Sequence, residues 1–484
     1  MNRPLRRLAA ASLVALALIA GGLTYQQAVA GSGYRDDARN LRALLDRATR
    51  ERGPIVTADG VVVAFSEAGP DGDLVRVYPE GVRYAHATGY TSAYFGDTGV
   101  EAVYADQLLS DDDGTLTAAL FSLLGGNLRP HQVQLTIRDD LQQAAADALG
   151  TQRGAVIALD PATGAVLALV SSPSFDPTVL ATGSPAEGNA LDADPARPLL
   201  DRAIAETYPP GSSFKVLVAV AGIEAGLLTP ETPLTDRREL ELPGSTAVIR
   251  NADDGYCGNG STLTLQQALT VSCNTAFAEL GMTIGAGPLV AAAEAAGFNG
   301  TIPFTLATVA SVLPPETLEG DLPALAQTAL GERDVRATPL QMALVAAAIA
   351  NRGVIMRPHL VGAILDADGE TIDLTAATPW RRAMREETAH SLAAMMEQVV
   401  AAGTGWRAAV PGVRVAGKTG TAEGTGGAPE VWFIGFAPVD PGPDEPQIAI
   451  AVLVEDGGTL GEEGSGGSVA APIAQAVLAA FLAG

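Results

Sequence analysis

The stretch "RGAVIALDPATGAVLALVSSPSFDP", residues 153–177, constrains this chain more than any other. Two apolar, β-rich runs flank "DPATG", whose Asp, Pro and Gly favour a tight reversal, so the segment predicts a β-hairpin. Runs of the same character return only far downstream, in "VRVAGKTGTAE", "VWFIGFAPV" and "QIAIAVLVEDGG". Between them, from about 215 to 400, the chain is Ala/Leu-rich with helical spacing, as in "LQMALVAAAIANRG" with its closing glycine. "APIAQAVLAAFLAG" reads as a terminal helix. Hairpin, helical insert, strands, helix: this order predicts an antiparallel sheet flanked by helices, with a mostly helical subdomain between.

Upstream, residues 31 to about 135 mix the helix-like "DDARNLRALLDRATR" with short strands and carry no catalytic constellation. "GPIVTADGVVVAF" reads as strand, turn, strand about Asp59-Gly60. "VQLTIRDDLQQAAADALG" reads as a strand leading into an amphipathic helix. With 484 residues, 47% of them apolar, there is room for two or three domains of α+β type.

A formal net charge of −25 excludes nucleic acid as a partner, because phosphate binding needs a basic surface. The four histidines are scattered, and there is no HExxH motif or Cys/His cluster, so neither a metal nor another cofactor is expected. At the start, "MNRPLRR" places three arginines ahead of an apolar run from Leu8 to Leu23, and no charge follows until Arg35. This predicts a cytoplasmic tail (1–7), a membrane anchor (8–25) and everything after about residue 30 outside the cell. The rival reading is a signal peptide cleaved after "AVA" at 28–30; the length of the apolar run favours the anchor. Export makes Cys257 and Cys273 candidates for a disulfide, the alternative being two free, half-buried thiols.

Of 30 basic residues only two are lysine, Lys215 in "PPGSSFKVLV" and Lys418 in "VAGKTGTAE". Arginine is a permanent cation, whereas a lysine ammonium is compact and loses its proton when its surroundings demand it. A chain that writes arginine almost everywhere keeps lysine where chemistry requires it. Ser212 and Lys215 are three apart at a helix start, so they share one face, and a desolvated lysine near a second cation can take the serine proton. "TVSCNTAF" sets Ser272 two residues from Asn274, a hydroxyl and an amide able to relay a proton and bind a substrate amide. In "GKTGT", Lys418, Thr419 and Thr421 make a carboxylate site, and Gly420 lets a substrate backbone approach the strand. The backbone N–H groups of Ser212 and Thr421 are candidates for the oxyanion hole. Each motif alone is weak; any helix start carries S-x-x-K by accident.

In this order, S-x-x-K, S-x-N and K-T-G are the set of the penicillin-binding proteins and class A β-lactamases. The chain resembles the monofunctional (class B) penicillin-binding proteins of actinobacteria nearly end to end, including "YRDDARNLRALLD", "TGYTSAYFGDTGVE", "TYPPGSSFK", "GTGWRAA" and "KTGTAE". The resemblance implies an anchored enzyme on the outer face of the membrane, with a pedestal of the dimerisation-domain type over 31–135 and a transpeptidase domain over 136–484. It implies that Ser212 is acylated, Lys215 is its base, Ser272 passes the proton to the leaving amine and Asn274 binds the substrate amide. Lys418, Thr419 and Thr421 would take the terminal carboxylate of D-Ala-D-Ala or of a β-lactam. Peptidoglycan stem peptides, β-lactams, the membrane and a separate glycosyltransferase of the SEDS type are the implied partners. A carboxypeptidase or β-lactamase, and a non-catalytic scaffold or sensor, are the alternatives; anchor and pedestal speak against a secreted β-lactamase and the intact motif set against a dead scaffold. The chain departs from its relatives at "LGERDV", 330–335, where they often read glycine-glutamine, which is expected to alter the cleft wall. It also carries Cys273 inside S-x-N, where a bridge to Cys257 would tether the neighbouring loop.

Overall fold

The computed structural model describes residues 3–28, 50–69, 74–109, 129–424, 427–442 and 445–483. The helix-like segment read at 36–50 falls almost wholly outside them. Helix α1 (Arg3–Ala28) holds the apolar run; within Arg3–Gln26 an 18-residue window reaches a mean hydropathy of 1.9 with no part buried, so the helix is long and apolar enough to cross a membrane once.

Strands β1 (Ile55–Val56) and β2 (Val62–Ala68) pair antiparallel about the Asp59-Gly60 turn, and β3 (Leu74–Val77) joins the edge of β2. Strand β4 (Gln132–Leu135) lies parallel to β1 and leads into α2 (Asp139–Leu149). The hairpin about "DPATG" is β5 (Gly154–Leu159) and β6 (Val166–Ser172). The helical stretch contributes α3 (Lys215–Glu224), α4 (Asn274–Ile284) and α5 (Pro339–Ala350). It is then broken by a second hairpin, β7 (Val361–Leu365) and β8 (Thr371–Leu374), before α6 (Glu386–Ala402). Strands β9 (Ala416–Ala422), β10 (Glu430–Ala437) and β11 (Ile448–Val454) follow, and α7 (Ala471–Ala483) ends the described chain.

Two sheets organise these elements. The first has the order β8-β7-β4-β1-β2-β3, so its far edge is supplied from 361–374 by β7 pairing antiparallel with β4. The second is antiparallel throughout, in the order β9-β10-β11-β5-β6, and joins the first hairpin to the late strands. Strand β11 shows why this sheet needs cover on both faces, since all seven of its residues are buried. Its period of two sends Ala449, Ala451 and Leu453 into one core and Ile448, Ile450, Val452 and Val454 into another. The first core holds α3 and α5; the second holds α2 and α7. Every residue of α5 except Ala350 is buried, as an all-round apolar helix requires. Gly353 closes it by donating its N–H to Ala348 O at 2.7 Å.

Beside the apolar core of the first sheet lies a buried charge network. Glu101 accepts from Arg76 Nε at 2.6 Å and pairs with Arg52 Nε at 3.0 Å, all three side chains being almost inaccessible. Arg52 also reaches Thr91 Oγ1 at 2.9 Å and Asp97 at 3.2 Å.

Candidate active site

Ser212 lies on the short 3-10 turn Gly211–Phe214, which runs directly into α3, so Ser212 and Lys215 sit on successive turns as their spacing predicts. The turn is pressed against the outer strand β9. A side-chain carbon on Gly420 would stand 2.6 Å from Pro210 O and 3.1 Å from Ser213 N, so only glycine lets the backbones meet here. Trp432 Nε1, one strand inward, donates to Pro209 O at 2.9 Å and ties the turn to the sheet. Thr421 and Ser212 therefore flank one gap.

Ser272 closes the other side. It follows the helix Leu265–Thr270 and precedes α4, and its backbone is left-handed, with φ 59°. Its N–H donates to Leu269 O at 3.2 Å and that of Cys273 to Ala268 O at 2.9 Å, a reversal for which glycine is the ordinary residue. A serine there costs about 1–2 kcal/mol of backbone strain and gains a hydroxyl aimed at both lysines. Lys215 Nζ donates to Ser272 O at 2.8 Å, to Asn274 Oδ1 at 2.7 Å and to Ser272 Oγ at 3.3 Å. Lys418 Nζ donates to Ser272 Oγ at 2.9 Å and to Thr419 O at 2.9 Å. The side-chain amide of Asn274 is fixed in turn by donating to Arg250 O at 2.9 Å.

Both lysines are 0% exposed, and the burial decides their chemistry. Loss of water, and then the neighbouring Lys418, hold the Lys215 ammonium well below the usual lysine range. Burial alone brings Lys418 down to about 7. A guanidinium could not follow either shift, which explains why these two positions escape the chain's preference for arginine.

Ser212, Ser272, Asn274, Thr419 and Thr421 line one open cleft of about 850 Å³, with the two lysines beneath its floor. Cys257 and Cys273 are joined by a disulfide, Cα–Cα 5.7 Å, on the wall behind Ser272. The bridged loop is further held by Asp236, whose carboxylate accepts from the N–H groups of Cys257, Gly258 and Gly260 at 2.9, 2.9 and 2.8 Å. Closing a loop of sixteen residues restricts the unfolded chain by about 3 kcal/mol. Reduction is thus expected to lower the thermal midpoint and to loosen Ser272. Melting curves with and without a reductant check this, alongside a thiol count on the unreduced protein.

Some cleft residues had no signal in the motifs. Thr404 Oγ1 lies 2.6 Å from Thr419 Oγ1, and Trp406, Arg407 and Ser465 add to the lining, while Leu330 and Glu332 of the divergent 330–335 do lie on the cleft wall. Thr404 and Trp406 belong to "GTGWRAA", a string legible as family likeness but without a chemical pattern of its own.

The chain matches the penicillin binding protein transpeptidase domain over residues 154–479 and the penicillin binding protein A dimerisation domain over 52–131. It is 43% identical over 507 aligned positions to the peptidoglycan D,D-transpeptidase PbpA of Mycolicibacterium smegmatis, covering 100% of this chain and 99% of the relative. Against the protein of the same name from Mycobacterium tuberculosis identity is 41% over 508 positions, covering both chains in full. The solved ceftriaxone acyl-enzyme of penicillin-binding protein A from M. tuberculosis is similar at a TM-score of 0.84 and 40% identity, covering 90% of this chain and 100% of that one. The penicillin G acyl-enzyme of the same protein gives 0.82 and 39%, with the same coverage. With the three sequence motifs converging at one cleft and these matches spanning the chain, the protein belongs to the penicillin-binding protein transpeptidases.

Proposed function

We propose that this protein is a serine D,D-transpeptidase that cross-links peptidoglycan stem peptides and is acylated by β-lactams. The observation that carries the reading is the meeting of two buried lysines at the hydroxyl of Ser272, beside Ser212 in an open cleft. Neutral Lys215 takes the Ser212 proton once its Nζ turns from Asn274 toward Ser212 Oγ. The freed oxygen attacks the carbonyl of the penultimate D-Ala, and the backbone N–H groups of Ser212 and Thr421 receive the developing oxyanion. The ammonium of Lys215 returns the proton through Ser272 to the leaving D-Ala amine, with Lys418 holding the Ser272 hydroxyl in line. Lys418, Thr419 and Thr421 bind the substrate's terminal carboxylate, and Asn274 its amide. A stem-peptide amine then attacks the Ser212 ester, forming the cross-link and freeing the serine.

Helix α1 anchors the enzyme, and the arginines before it favour an orientation with residues 1–7 in the cytoplasm and the catalytic domain outside. We assign the pedestal to 31–135, with 361–374 completing its sheet, and the transpeptidase domain to the rest of 136–484. With no room there for a glycan polymerase, a separate membrane glycosyltransferase of the SEDS type is the partner this organisation calls for. The test is intact mass after incubation with a penicillin. One adduct, stable for hours, is expected on the wild type and none on Ser212→Ala. An adduct lost within seconds moves the enzyme to the hydrolases; no adduct on folded wild type overturns the reading.

A further inference from the structure

The catalytic cleft carries opposite charges at the two ends of β9, and the mechanism above uses neither. At the Thr419 end, Gly467 packs so close that an added Cβ would stand 2.5 Å from Thr404 O and 3.9 Å from Thr419 Cγ2. Its carbonyl accepts from Arg407 Nη1 at 3.5 Å, which brings a guanidinium to that end. At the Thr421 end, a Cβ on Gly211 would stand 2.6 Å from Thr421 O and 3.0 Å from Ala422 N. Gly211 donates its N–H to Gly331 O at 3.0 Å, and a Cβ on Gly331 would collide with Gly211 O. Both glycines have positive φ, 53° and 80°, so the two backbones meet without side chains between them. Glu332, the next residue, is thereby fixed at this end and lines the cleft beside Ser212 and Leu330. Three strand residues, roughly 10 Å, separate Thr419 from Ala422 and hence cation from anion.

Among the described residues that line the cleft, Arg407, Glu332 and Asp253 carry charge, and both lysines lie beneath its floor. Asp253 is exposed in the turn before Cys257, where its Oδ1 accepts from Gly255 N–H at 3.2 Å. A donor peptide with its terminal carboxylate at Lys418 and Thr419, and its reacting carbonyl at the Thr421 N–H, continues past Thr421. The residue before D-Ala-D-Ala therefore reaches the Glu332 end. In a penicillin the acylamino side chain takes that place, because it leaves the reacting carbonyl on the side away from the ring carboxylate.

Resting on the transpeptidase reading, we propose that Glu332 is a specificity-determining residue, whose carboxylate selects donor stem peptides with an ammonium on the residue before D-Ala-D-Ala. A carboxylate at the same place on the donor is disfavoured by like charge. The cleft is polarised along the donor, with Arg407 at the end that takes the terminal carboxylate and Glu332 at the end that takes the amine.

The test uses three penicillins alike except that the acyl side chain ends in a primary amine, in its acetamide or in a carboxylate. Second-order acylation rate constants are followed by intact mass on the full chain in detergent. Burial raises the Glu332 carboxyl to about 7, so a pH of about 8.5 keeps it ionised while the amine stays protonated. Wild type is expected to favour the amine over the acetamide about threefold and over the carboxylate about tenfold. Glu332→Gln, which keeps the shape and removes the charge, is expected to bring the three rates within about twofold of one another. Asp253→Asn, which removes the rival carboxylate, is expected to keep the wild-type order. The readout is a ratio between probes on one protein, so a variant that is merely loosened leaves it where it was. Should the glutamine variant fold poorly, the wild-type preference must still shrink in about 1 M salt, which screens charge without any substitution. Equal rates on wild type, or a preference untouched by Glu332→Gln or by salt, overturn the proposal. No adduct from any of the three penicillins sinks the transpeptidase reading instead.

Discussion

Lys215→Arg is expected to lower the rate of penicillin acylation by about 10³- to 10⁴-fold, with no recovery as pH rises. The reasoning separates charge from chemistry, since the substitution keeps the cation. Lys215 is 0% exposed and its Nζ is enclosed by Ser272 and Asn274, a space shaped for one nitrogen rather than a planar fork. More decisively, burial and Lys418 push the lysine toward its neutral form, whereas a guanidinium stays protonated at any working pH. A protonated partner cannot accept the Ser212 proton. Rates measured by stopped flow or by intact mass over the full pH range check this. A variant that regained even a tenth of wild-type rate at high pH would show that Lys215 acts as a fixed charge and not as a base.

Glu101→Ala is expected to destabilise the protein by about 3–5 kcal/mol, because it removes the one carboxylate shared by two buried cations, Arg76 and Arg52. Arg76 and Arg52 lie 2.6 and 3.0 Å from its carboxylate, and neither has water to turn to. Tyr78 Oη, which donates to Glu101 Oε1 at 3.3 Å, loses its acceptor as well. Thermal unfolding should show the midpoint falling by roughly ten degrees. The acylation rate of the folded fraction should stay at the wild-type value, since the network touches no cleft residue. A change in midpoint of less than a degree would mean that Asp97 and the surrounding carbonyls suffice to hold both arginines.

The site was legible in the sequence because composition had already sorted it. Two lysines among 30 basic residues drew attention to two positions, and the structure brings both to the Ser272 hydroxyl. The five-strand sheet was legible for a similar reason, since four of its strands are mostly apolar runs closed by turn residues and β9 carries the "GKTGT" string. What escaped was whatever depends on distant pairing. The hairpin β7–β8 hides in an Ala/Leu-rich region, although "VGAILDADGETIDL" carries an Asp-Gly turn between alternating residues, which is a readable signal. The partners of Glu101 lie 49 and 25 residues away, and no local pattern foretells that Arg52 and Arg76 turn inward. The left-handed backbone of Ser272 is equally silent, because a serine is written where conformation alone would ask for glycine.

The strand β7 has a consequence for anyone wishing to take this molecule apart. In the linear chain the span between β4 and β5 looks like a natural place for scissors. In space the seam runs elsewhere, because β7 completes the sheet of the segment that such a cut would discard. A fragment starting near residue 150 would keep β7 and β8 but lose β4, leaving a row of unanswered N–H and C=O groups ready to pair with another copy. The catalytic half is thus not a passenger bolted to a stalk. It is sewn into the stalk by its own thread, and a clean excision has to take out 361–374 along with the N-terminal piece.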